Sequence, residues 1–149
     1  MNLLQLLGLA RLPAEADQLI PPQDRSIVYE HLWCSITLVN FSSPNRVCRW
    51  KRQWFAGSFA ISQDRLIAFR GWRRMINLSF DDPRFREVMF SLDRQTLIIE
   101  HDASLFRDDW SGSIEYRFRI PDVLPVVEQL ERVTVVAQST MGVDFSEGS

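Results

Sequence analysis

The sequence predicts a mainly β domain of about seven antiparallel strands followed by one amphipathic helix. Three observations carry that reading. Two stretches, SFAISQDRLIAFRG (58–71) and VMFSLDRQTLIIEHD (88–102), each read as a hairpin, with β-rich arms on either side of a polar turn. In SIEYRFRI (113–120), Ile114, Tyr116, Phe118 and Ile120 alternate with Glu115, Arg117 and Arg119, as in a strand buried on one face. The period then changes: in PDVLPVVEQLERV (121–133), Val123, Val126 or Val127, Leu130 and Val133 recur at helical spacing.

Taken in order, residues 2–12 predict a short leucine-rich helix ending near Pro13, with Leu3, Leu4 and Leu7 on one face. Arg11 alone could serve a membrane-facing polar side, so docking on the protein's own domain is expected. Pro21 and Pro22 close the lead-in, and SIVYEHLWCSITLVNF (26–41) follows. Its apolar positions satisfy either period, and its β-branched and aromatic content selects a strand. SSPN (42–45) is a turn signal. RVCRWKRQWFAGSFAI (46–61) continues as strand, with Gly57 expected at a bend or bulge. Gly71 should turn the chain after a strand ending at Arg70, leaving Trp72, Arg73 and Arg74 at a loop or strand start. Asp122 can cap the last helix, and Pro125 fits its first turn. Residues 1–25 are thus a lead-in and 26–136 the folded domain. The polar residues of 137–149 form a tail expected to be disordered.

A meander of strands closed by one C-terminal helix resembles the pleckstrin-homology superfold, and within it the bacterial pleckstrin-homology-like domains. DRLIAF (64–69) is similar to a pattern on an early strand of those domains, and EYRFRIPDVLPVVEQLE (115–131) to their last strand running into the helix. The resemblance spans roughly residues 26–134, and it implies a partly open barrel of two near-orthogonal sheets with the helix plugging one end. Lipocalin-like barrels are the competing architecture, although they need more strands. The sequence has no Gly-rich phosphate loop and no GxSxG, so a non-catalytic role is expected.

Of 149 residues, 17 are basic and 19 acidic, so the net charge of −2 exerts no general pull toward nucleic acid or anionic membrane. The charge is unevenly spread. Between Arg46 and Arg74, eight basic residues face Asp64 alone, giving +7 and leaving −9 for the remainder. Lys51 is the only lysine in the chain. Two cysteines, Cys34 and Cys48, make no disulfide framework. The start superficially imitates a signal peptide but has no basic residue before its apolar run, so a reducing cytoplasm with free thiols is expected.

The chemistry-bearing residues are few. His31, Cys34, Cys48 and His101 lack metal-ligand spacing, so no metal or other cofactor is expected. The acidic concentration Glu100, His101, Asp102 and Arg107 to Trp110 would be the only seat for catalysis, and it reads more simply as a strand end and polar loop. The binding candidates are Arg46, Arg49, Lys51, Arg52, Arg70, Trp72, Arg73 and Arg74. Interleaved with Trp50 and Trp54, they could hold phosphates and stack on bases or lipid headgroups. Strand alternation sends Arg46, Trp50, Arg52 and Trp54 one way and Arg49 and Lys51 the other, which divides the patch. Asp81, Asp82, Asp108 and Asp109 offer enough carboxylate to neutralise Arg73 and Arg74 without a ligand, so these arginines are expected to be partnered within the chain or to lie at an interface. The expected function is therefore protein association, including self-association through strand edges, with acidic lipid or nucleic-acid binding as the competing expectation and an enzyme as the third.

Overall fold

In the computed structural model, which describes residues 10–133, seven antiparallel strands run in the order β4-β3-β2-β1-β7-β6-β5 through one continuous sheet. The strands are β1 (Ile27–Ser43), β2 (Arg46–Ile61), β3 (Arg65–Arg70), β4 (Arg73–Ser79), β5 (Met89–Asp93), β6 (Thr96–Asp102) and β7 (Ser111–Arg119). Hydrogen bonding passes unbroken between the two halves of the predicted barrel, because β1 pairs with β2 on one side and β7 on the other. The sheet curls into a half-barrel whose edges are β4 and β5.

Each hairpin forms where turn chemistry allows it. Between β2 and β3 the Ser62 hydroxyl accepts from the backbone N–H groups of Asp64 and Arg65, at 3.3 and 3.1 Å, and donates to the Asp64 carboxylate. Between β3 and β4 Gly71 takes φ 58°, a left-handed conformation suited to glycine, and Trp72, Arg73 and Arg74 follow at the turn and strand start as expected. A 3-10 turn, Pro83–Glu87, joins β4 to β5, capped by the Asp82 carboxylate accepting from the Arg84 N–H at 2.9 Å. Phe85 from this turn is buried among Phe80 and Phe90, so the connection across the open side contributes to the core.

The bulge expected at Gly57 lies on the partner strand instead. The β1–β2 register shifts between Tyr29 and Leu32, where His31 has φ 58°. Gly57 itself pairs regularly with Leu32. Its small size has another cause: a Cβ there would lie 2.8 Å from the Phe69 carbonyl oxygen and 3.0 Å from Cys34 Sγ. A second irregularity sits further along β1. Asn40 has φ 49°, the β1–β7 register shifts between Val39 and Ser42, and Leu38 and Phe41 both point into the core despite their odd spacing. Gly112 of β7, φ 93°, lies against the Val39 and Asn40 carbonyls at this bulge.

The core lies inside the curl, with Phe59, Leu66, Leu97, Ile99 and Phe118 almost fully buried. The C-terminal helix, α2 (residues 124–133), closes one end of the curl. It follows β7 directly: Leu124 N–H donates to the Asp122 carboxylate, Val126 and Leu130 are buried, and Gln129 donates to the Ser62 carbonyl. The Tyr29 hydroxyl donates to the Asp122 carbonyl at 2.5 Å, tying the helix start to β1. Burial, and to a smaller extent the Asp122 charge, raise the Tyr29 pKa.

The predicted helix over 2–12 falls mostly on residues outside those described, and the tail beyond 136 falls wholly outside them. Residues 10–12 are not helical. A short helix, α1 (Ala16–Leu19), occurs within the lead-in, and Ala16 and Ile20 pack on Ala60, Ile67 and Phe69 against the outer side of β2 and β3. Arg25 fixes this segment, pairing with Asp17 at 2.6 Å and donating to the Ile20 carbonyl. Covered on both faces, β3 reads as the unbroken apolar run LIAF.

Candidate functional site

The predicted basic set is dispersed rather than gathered. Arg46 opens β2 and, with Arg74 of β4, lines a cavity inside the half-barrel. Arg52 points to the outer face, where its Nε–H donates to the Thr37 hydroxyl at 2.8 Å and its guanidinium lies over Trp50. Arg49 and Lys51 are exposed on β2. Arg70 lies over Phe55 and reaches Gln53 at 3.5 Å, and Arg73 lies over the exposed Trp72. Alternation predicted that Arg46 would share a face with Trp50, Arg52 and Trp54. The structure separates it from them, because the Asn40 bulge sits between these positions and reverses the inward phase of β1.

Of the two places expected for Arg73 and Arg74, the ion pair within the chain is corrected. Among the described residues, no carboxylate lies within ion-pairing distance of Arg46, Arg49, Arg70, Arg73 or Arg74. Asp82 is engaged by its own turn neighbour, Arg84, at 2.6 Å, and those hydrogen bonds lower its pKa to about 2. Asp108 and Asp109 are exposed in a turn.

A different cluster forms on the outer face of β1, β2 and β7. Trp33 and Trp54 stack with ring centroids 6.1 Å apart and planes within 9°, and each is about half exposed, at 47% and 53%. The register explains their meeting. Ser35 of β1 pairs with Trp54 on one side and Arg117 on the other, and Thr37 pairs with Arg52 and Glu115. The small Ser35 and Thr37 are buried beneath this ring of large side chains, and the Ser35 hydroxyl has no hydrogen-bond partner among the described residues. Glu115 holds Arg117 at 2.6 Å and lies 3.8 Å from Arg52, which leaves a net positive surface. Trp33, Trp54, Arg117 and Arg119 line an open groove of about 840 Å³, walled by the β5–β6 turn with Asp93 and Arg94.

Trp33, Arg94, Arg117 and Arg119 were not among the sequence candidates. Their signal was present in part: the polar face of EYRFR consists wholly of charged residues. What the sequence hides is the pairing of β1 with β7, which sets Arg117 two strands from Trp54.

The remaining polar residues lie apart from this face. Among the described residues, no three of His, Cys, Asp and Glu converge as a metal site. Glu100 pairs with Glu115 across the ladder, whereas the adjacent His101 points inward against Tyr116 and Phe106, its Nδ1–H donating to the Asp102 carbonyl. Cys34 is buried, and its thiol pKa is pushed up to about 12 by desolvation, so it is a poor nucleophile. Burial likewise raises Tyr116 to about 12. No helix among the described residues is long and apolar enough to cross a membrane. No protein-family model matches the chain, and no curated protein is significantly similar to it.

Proposed function

We propose that this chain is a non-catalytic interaction domain of pleckstrin-homology-like build that docks an acidic protein partner on the outer face of β1, β2 and β7. The observation that carries the reading is the exposed Trp33–Trp54 stack set among Arg52, Arg117, Arg119 and Arg94. Tryptophan and arginine are the residue types that most often dominate binding energy at protein interfaces, and two half-exposed indoles on a sheet face are costly without a partner. The strand order and the helix at one end support the pleckstrin-homology-like build. Two copies meeting through this face would oppose like charges, so self-association falls to the free edges of β4 and β5.

The test is a titration of the full chain with a fluorescent peptide rich in aspartate, glutamate and tyrosine, beside oligothymidylate and vesicles containing phosphatidylserine. The peptide should bind, and a Trp33→Ser, Trp54→Ser, Arg117→Gln variant should lose roughly tenfold or more in affinity. Oligothymidylate or vesicles binding more tightly than the peptide, with a steep loss as salt rises, would replace this reading with an anion-binding one. Sedimentation of the protein alone reports self-association separately.

A further inference from the structure

The inside of the half-barrel holds a cavity that its own side chains do not fill, at the end away from α2. Its volume is about 590 Å³, within the range of about 300 to 1,000 Å³ of small-molecule sites. The depth of it is apolar: Leu38, Phe41, Leu78, Ile99 and Ile114 are all buried side chains of the core that also face this space. The mouth has the opposite character. The exposed Arg74 and Arg107 and the half-buried Arg46 stand there with His101, and among the described residues no carboxylate lines the cavity.

This distribution is informative about chemistry. An apolar void forfeits the packing contacts that a filled core would make, so an occupant with an apolar body gains by entering it. Among the described residues, Arg46, Arg74 and Arg107 have no acidic partner, and the Arg107 guanidinium lies over the face of Trp110, 4.9 Å from its ring centroid. Three guanidinium groups around one opening select a planar or tetrahedral oxyanion. The Asn40 bulge makes the combination: by reversing the alternation it turns Phe41 and Arg46 inward together.

We infer that the cavity binds a single-chain amphiphile whose apolar tail enters between Leu38, Leu78 and Ile114 while its carboxylate or phosphate head is held at the mouth by Arg46, Arg74 and Arg107. This site is separate from the Trp33–Trp54 face, and its residues are not shared with it.

The experiment is calorimetric titration of the full chain with palmitate, hexadecyl phosphate and hexadecanol, each below the concentration at which it self-associates. The two acids should bind with one ligand per chain and raise the melting temperature, and hexadecanol should bind roughly tenfold more weakly or less. Preference between palmitate and hexadecyl phosphate identifies the head. An Arg74→Gln, Arg107→Gln double variant changes only exposed side chains, so it should fold normally and lose roughly tenfold in affinity for the acids, with hexadecanol unaffected. A Ser43→Trp variant, which places an indole in the mouth, should weaken all three. Absence of binding by both acids, or equal binding of acids and alcohol in wild type and double variant, overturns the inference.

Discussion

Asp82 shows how much a single carboxylate can do in a short connection. It caps the Pro83–Glu87 turn through the Arg84 N–H and pairs with the Arg84 guanidinium. The folded state holds its pKa at about 2, below the ordinary 3.8. A depressed carboxylate contributes stability that is fully present above its unfolded pKa and is lost as pH falls through the folded value. Denaturant midpoints of wild type and Asp82→Asn should therefore differ at neutral pH and converge between about pH 4 and pH 2, because asparagine keeps the cap but not the charge. Gly112 is a sharper case. With φ 93° and a would-be Cβ only 2.6 Å from the Val39 carbonyl oxygen, Gly112→Ala has neither an allowed conformation nor room. It should cost about 2 to 4 kcal/mol by urea denaturation, and a loss under about 0.5 kcal/mol would contradict the geometry of the bulge.

At the scale of elements, the last strand and helix were the most legible. The alternation of Ile114, Tyr116, Phe118 and Ile120 and the helical spacing of Val126 and Leu130 are local patterns, and both appear as read. Leu130→Ala should cost about 2 to 5 kcal/mol, seen as a lower thermal midpoint, because α2 closes the end of the core with this side chain. The hairpin turns at 62–64 and around 94 were readable for the same reason, since turn chemistry is local. The bulges were not. Whether an extra residue sits at Gly57 or at His31 depends on the register between β1 and β2, and the sequence of one strand does not record it. The short helix Ala16–Leu19 was missed because it is a single turn held by packing on Ile67 and Phe69.

At the scale of the whole molecule, the fold class followed from element order, and the site did not. The arginine-rich segment 46–74 looked like one object in sequence. In space it divides into an outer contribution from Arg52 and an inner one from Arg46 and Arg74, while Arg94, Arg117 and Arg119 arrive from distant elements. The charge imbalance lies within 46–74, whereas Arg94, Arg117 and Arg119 come from the acidic remainder, and only the pairing of β7 with β1 brings them near Trp54.

That placement also orders events during synthesis. Every other ladder joins neighbours in the chain, so the hairpins from β1 to β4 can assemble as soon as they emerge, whereas the free side of β1 must wait for residues 111–119. Until then a strand of 17 residues presents unpaired backbone and the apolar surface of Cys34, Ile36 and Leu38 to whatever is nearby. The long-range joining of β1 to β7 is therefore the step at which the nascent chain is most exposed to misassembly, and slowing translation before residue 111 would prolong it.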